Sequence, residues 1–168
     1  MPNYRRAWQQ GGTYFFTVVL ANRNNADWLK SHIDALRQAV RQTQQTHPFT
    51  IHAWSVMPDH FHCVISLPPN EADFAVRIRM IKSGFTQALH QAGIGEQKIW
   101  QRGYWEHLIR DQADHNAHVD YVHINPLKHG LVTQVVDWPH STFHRYVKQG
   151  IYPPNWAGGT ERGLPYED

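Results

Sequence analysis

Residues 49–67 read Phe49-Thr50-Ile51-His52-Ala53-Trp54-Ser55-Val56-Met57-Pro58-Asp59-His60-Phe61-His62-Cys63-Val64-Ile65-Ser66-Leu67. Two runs rich in aromatic and β-branched residues flank the turn sequence Met57-Pro58-Asp59, the pattern of a β-hairpin. Side chains alternate faces along a strand, so Phe61, Cys63, Ile65 and Leu67 share one face and demand an apolar core beneath it. His60 and His62 take the opposite face, ~7 Å apart along the strand. Two imidazoles so placed can converge on one divalent ion. Two surface histidines on a half-exposed strand would give the same pattern.

The flanking sequence supplies the partners of this hairpin. Thr13 to Leu20, after Gly11-Gly12, is apolar on both faces and predicts a central strand. Asp27 opens a predicted helix from Trp28 to about Gln45, with Leu29, Ile33, Leu36 and Val40 at helical spacing and Pro48 closing the segment. A second helix runs from about Asp73 to Gln91. Phe74, Ile78, Ile81, Phe85 and Leu89 form its apolar stripe, and Arg77, Arg79 and Lys82 lie off it. Gly93 and Gly95 end it. Lys98–Gln101 and Trp105–Ile109 predict two short strands. A third helix opens at Asp111 and is expected to end near Asn125, because Pro126 disfavours α geometry in the residue before it. Leu131-Val132, Trp138-Pro139, a short helix from Ser141 to Lys148 and a Gly/Pro-rich end follow. This order predicts an α+β fold: a ferredoxin-like antiparallel sheet of about four to five strands, with helices on one face and the third helix over the other. Residues 1–150 are expected to form one domain. Residues 151–168 form a C-terminal tail, able to pack near the site and regulate it.

Composition sets outer limits. The chain has 168 residues, 41% hydrophobic and 18% charged, enough for one domain with a sizeable core. No apolar run approaches the ~20 residues of a membrane span. No apolar segment follows Arg5-Arg6 as a signal peptide requires, so a cytoplasmic protein is expected. The single cysteine, Cys63, excludes an internal disulfide and a cysteine zinc cluster. A net charge of +2 predicts a localised basic surface rather than a wholly cationic domain. The 13 histidines direct attention to metal ligation.

The third helix carries the second chemical signal. Tyr121 and Asn125 are four residues apart and share a helix face, with His118 on the same side. A tyrosine can form a covalent intermediate, and in phosphoryl transfer the protein mainly positions groups and neutralises charge. The Asn125 amide oxygen offers a third ligand to the shell that His60 and His62 leave incomplete. Core tyrosines and asparagine helix stops are also common, so these residues alone leave both readings open.

Taken together the segments resemble a known family. Trp54 to Ile65 looks like the HUH strand of the single-tyrosine transposases, where U is a hydrophobic residue. Tyr121-Val122-His123-Ile124-Asn125-Pro126-Leu127-Lys128-His129-Gly130-Leu131-Val132 resembles their tyrosine helix and its exit. Ile99 to Asp111 and Asp137-Trp138-Pro139-His140-Ser141-Thr142 narrow the likeness to the REP-associated tyrosine transposases, over most of the chain from Tyr4-Arg5-Arg6 to about Trp156. The resemblance implies a ferredoxin-like HUH endonuclease fold and a single-stranded DNA substrate folded into palindromic REP hairpins. It implies attack by tyrosine on a phosphodiester beside the hairpin, giving a 5′-phosphotyrosine and a free 3′-hydroxyl. Carried over by position, Tyr121 is the nucleophile and His60, His62 and Asn125 hold Mg²⁺ or Mn²⁺. Relatives more often have glutamine at the Asn125 position. A monomer with the tyrosine acting in cis, in the cytoplasm at the nucleoid, is implied as well. A domesticated hairpin-binding protein with dispensable cleavage, and a hydrolase in which water attacks, are the alternatives.

Single-stranded DNA calls for cations interleaved with aromatics. The candidate DNA contacts are Tyr4, Arg5, Arg6, Arg77, Arg79, Lys82, Arg102 and Lys128, with Arg5, Arg6 and Lys82 preferred. Tyr104, Trp105, His129, Arg145 and Lys148 are further candidates.

Overall fold

Alternation in the hairpin becomes a two-faced sheet. The computed structural model describes residues 8–23, 27–94 and 98–166. Four strands, β1 (Thr13–Val19), β2 (Thr50–Val56), β3 (His60–Ser66) and β4 (Trp105–Leu108), pair in the order β2-β3-β1-β4. All three pairings are antiparallel, the ferredoxin-like arrangement expected. The register places Thr17 opposite His62 and Val19 opposite His60.

One face is covered by α2 (Ile33–Thr46) and α3 (Phe74–Gln91). Phe61, Cys63 and Ile65 pack there with Tyr14, Phe16 and Val18 against Leu36, Ile78, Ile81 and Phe85. Gly84 makes the close approach possible: a Cβ at that position would lie 3.0 Å from the Ala39 Cβ of α2. The other face presents Phe15, Ala53 and Val64 to Val119, Tyr121 and Val122 of α4 (Gln112–Lys128).

Four details differ from expectation. The first helix is divided: α1 spans Trp28–Ser31, and His32 at φ −116°, ψ 38° separates it from α2. Asp27 precedes α1 but makes no side-chain cap. Lys98–Gln101 is no strand; it docks beside β1 through a single bridge from Trp100 to Leu20 and the bonds Gln101 N–H to Val19 O and Ala21 N–H to Ile99 O. The α4 helix does not stop at Asn125. It continues through Pro126 to Lys128, although proline in a helix interior costs ~3 kcal/mol. Tertiary burial offsets that cost, since every residue from Tyr121 to Pro126 is buried. The termination comes at Gly130, whose φ of +69° suits only glycine without strain.

Beyond α4, a 3-10 turn (Val135–Asp137) leads to α5 (Phe143–Lys148). This segment closes the β2 edge. Val56 N–H bonds His140 O, Thr142 N–H bonds Trp54 O, and the Trp138 indole bonds Val56 O. The Arg145 guanidinium takes Ile51 O and His52 O. The residues after 150 turn back onto α4: Tyr152 packs with Ile124, Val135 and Phe143. Among the described residues, no helix is long and apolar enough to cross a membrane.

Candidate active site

The site lies where the histidine face of β3 meets α4. His60 and His62, both buried, stand with ring centroids 4.9 Å apart. The Tyr121 ring lies 5.3 Å from His62 and edge-on to Phe15 at 5.7 Å. His129, just past the end of α4, brings its ring to 4.9 Å from His60. One nitrogen from each of His60, His62 and His129 falls within 4.8 Å of the other two.

His60 and His62 are each held by Nδ1, leaving Nε2 for the pocket. His60 Nδ1 bonds Asp59 Oδ1 at 2.7 Å. Asp59 Oδ2 accepts from Arg23 Nε at 2.7 Å. Burial pushes the Asp59 pKa up, but the His60 and Arg23 hydrogen bonds outweigh it and hold the carboxyl far below the usual range. His62 Nδ1 pairs with Thr17 Oγ1 at 2.8 Å. Burial first, then the charges of His60 and His129, lower the His62 pKa well below the ordinary imidazole value, so His62 stays a neutral ligand-competent ring.

The remaining atoms test whether a metal fits. His62 Nε2 and Asn125 Oδ1 are buried and neither meets a partner of hydrogen-bonding geometry, although Asn125 lies close enough to act on the His62 ring. Asn125 donates its Nδ2–H to Tyr121 O at 2.7 Å, which leaves the oxygen as its uncommitted atom. A buried unsatisfied polar group costs ~1–3 kcal/mol. Two such atoms beside two further imidazoles form a donor set that a divalent cation satisfies.

A second group, His107, Asp114 and His118, also has the composition of a ligand set. Its atoms are already paired. His107 Nε2 bonds Asp114 Oδ2 at 2.8 Å, His118 Nδ1 bonds Asp114 O at 2.8 Å, and Arg110 N–H occupies Asp114 Oδ2 as well. It ties β4 to the first turn of α4, where Asp111 caps the helix through Asp114 N–H.

The tail reaches the pocket. The Tyr166 ring lies 5.2 Å from Tyr121, stacks on Phe15, and its hydroxyl meets His118 Nε2 at 3.0 Å. The pocket, about 400 Å³, is lined by His60, His62, Tyr121, His129, Arg23 and Tyr166 among others.

The expected DNA contacts divide. Tyr4, Arg5 and Arg6 lie outside the described residues. Arg77 is a correction: it is 1% exposed, and its guanidinium is spent on Glu71 and on the carbonyls of His47, Pro48 and Asp73. It staples α3 to the turn before β2 and has no surface to offer DNA. Arg79 and Arg102 are exposed. Lys82 is half-buried and donates to Gln101 O and Gly103 O. Lys128 places its Nζ 5.5 Å from the Tyr121 ring centroid. The sequence reading gave His129 to the substrate and did not single out Arg23, Thr17 or Asp59 as the supports of the site.

The histidine pair of β3 and Tyr121 of α4 thus meet on one face of a ferredoxin-like sheet, and residues 10–125 match the family described as "Transposase IS200 like". The REP-associated tyrosine transposase of Escherichia coli (strain K12) is 49% identical over 158 residues, covering 94% of this chain and 92% of its own. A relative from Haemophilus influenzae (strain KW20/Rd) is 45% identical over 170 residues, with 96% of each covered. A solved structure of a REP-associated tyrosine transposase bound to a REP hairpin shares the fold at a TM-score of 0.87 and 48% identity, covering 95% of this chain and 93% of that one. The chain belongs to the IS200-like transposases and, within them, to the REP-associated tyrosine transposases.

Proposed function

We propose that the protein is a metal-dependent endonuclease and strand transferase that acts on single-stranded DNA beside REP-type hairpins, with Tyr121 as its nucleophile. The observation that carries this reading is that Tyr121 lies against His62, whose buried Nε2 and the neighbouring buried Asn125 Oδ1 have no hydrogen-bond partner. The hairpin bound by the solved relative supports the substrate class. His60, His62 and Asn125 would hold Mg²⁺ or Mn²⁺, with His129 in reach as a further ligand. A bound ion there would neutralise charge on the scissile phosphate and polarise its phosphorus–oxygen bonds.

The chain's own residues do the positioning. Phe15 and His62 hold the Tyr121 ring against the sheet, and the Lys128 ammonium beside that ring favours a phosphate next to it. The Tyr121 hydroxyl oxygen forms a bond to phosphorus and releases its proton to solvent. The phosphorus–O3′ bond breaks, and the departing 3′ oxygen takes up a proton as a free hydroxyl. The 5′ phosphate remains esterified to Tyr121, and attack by a 3′-hydroxyl reverses the step. One chain carries every residue named, so a monomer acting in cis, at DNA in the cytoplasm, suffices.

The test is incubation of the full chain with a flanked REP-type hairpin oligonucleotide and Mg²⁺ or Mn²⁺. A denaturing gel should show a protein–DNA adduct that chelator prevents. Tyr121→Phe should lose the adduct and keep hairpin binding. Normal cleavage by that variant, with a free 5′-phosphate, would overturn the reading in favour of water attack.

A further inference from the structure

The outer face of α3 forms, with the 100–104 loop, a groove of about 900 Å³ on the side of the sheet away from Tyr121. Arg79, Lys82, Gln87, Trp100, Gly103 and Tyr104 are among its walls. His90 lines it as well, and among the described residues no Asp or Glu does. Lys82 spends two N–H groups on the carbonyls of Gln101 and Gly103, which fixes the loop, and one donor remains. Its Nζ also sits 5.8 Å from the Tyr104 ring centroid. Cations interleaved with aromatic rings in an open groove are what a single-stranded polynucleotide requires: donors for phosphates and flat faces for bases.

The loop connects this groove to the catalytic pocket. Gly103 and Tyr104 line the groove, and the next residue, Trp105, lines the pocket of His60, His62 and Tyr121. Trp105 is 50% exposed and meets Tyr166 edge-on at 6.3 Å, which leaves part of its indole open for a base to stack on. It stands at the start of β4, the outermost strand of the sheet. The opposite edge, β2, is closed by residues 140–142 and Arg145. No strand among the described residues pairs with the outer side of β4, so a chain can pass over it.

We infer that the α3 groove is a second nucleic-acid subsite, which holds the single-stranded flank of the DNA after that strand leaves the Tyr121 pocket across Trp105. Arg79 and Lys82 contact its phosphates, and Trp105 and Tyr104 carry its bases. The inference rests on the single-stranded DNA reading above, but its test needs no cleavage.

The experiment compares two oligonucleotides on the full chain in a Tyr121→Phe background without divalent metal: a REP-type hairpin with a single-stranded flank, and the same hairpin blunt. Adding negative charge with Arg79→Glu and Gln87→Glu, both exposed positions, should weaken binding of the flanked form roughly tenfold and reduce its salt slope. The blunt hairpin should bind the variant within about twofold of the parent, since lost phosphate contacts are local to the groove. A photoreactive base in the flank should cross-link within residues 98–105. Equal loss for both oligonucleotides would assign the groove to the hairpin stem and overturn the inference, as would no loss, or cross-links confined to other segments. A chain that binds the flank in the groove yet forms no adduct with active Tyr121 would leave the subsite standing and remove the nuclease reading.

Discussion

A carboxylate that accepts from two partners on its two oxygens fixes more than charge. Asp59 takes His60 Nδ1–H on one oxygen and Arg23 Nε–H on the other, which sets the His60 tautomer and aims Nε2 at the pocket. Outer partners of this kind typically change metal affinity ~10–100-fold when removed. Asp59→Asn should therefore raise the Mn²⁺ concentration for half-maximal adduct formation by about that factor, read from a metal titration on the denaturing gel. An unchanged midpoint would mean that Asp59 is only a surface partner of Arg23. At this scale the sequence was informative where a local rule applied. Strand alternation separated His60 and His62 from Phe61, and helical spacing joined Tyr121 to Asn125. His129 escaped as a ligand because Pro126 marked the helix as ended before it. Thr17 escaped because it reaches His62 only through cross-strand register. Arg77 was misplaced because its position off the apolar stripe of α3 says nothing about the 47–48 turn that buries it.

The α4 helix works on two sides at once. Tyr121 and Asn125 face the sheet, while Asp120 and His123 face the returning C-terminal segment. Asp120 accepts from the Tyr152 hydroxyl at 2.6 Å and from Thr160 N–H and Oγ1–H. His123 is bonded to Tyr152 and Thr142. Burial, then the charges of Arg145 and His144, drive the His123 pKa from 6.5 to about 3. Between those values the unfolded chain binds a proton that the folded chain refuses, so stability is lost as pH falls through the window, by up to about 1.4 kcal/mol per pH unit. His123→Gln should remove that share. Urea midpoints measured from pH 7 down to pH 4.5 should fall less steeply for the variant, and parallel curves would contradict the assignment. Burial on both sides also explains why α4 was harder to read than α3: a helix packed on two faces shows no single apolar stripe, and its passage through Pro126 depends on tertiary contacts that no local rule supplies.

Across the whole molecule, the last described residues return to the first strand of the sheet. Tyr166 stacks on Phe15 and lies against Tyr121, in the space where a nucleotide would meet the proposed nucleophile. The tail is thereby proposed to limit access, and Tyr166→Ala should speed adduct formation several-fold at saturating metal in a single-turnover time course. A slower reaction would instead make Tyr166 part of the DNA site. The Gly/Pro-rich sequence after Gly150 carried no periodicity, so composition placed a tail there and only the fold showed its destination. The segment before it has a different consequence. A fragment ending at Val132 would retain His60, His62, Tyr121, Asn125 and His129, yet it would strip the cover from β2 and leave Trp54, Val56 and their backbone groups as a bare template. Exposed edges of that kind recruit other chains, so the fragment should run as large aggregates on size exclusion where the full chain runs as a small particle. The shortest workable form of the chain is thus set by what keeps the sheet from growing, well beyond the last residue of the candidate site.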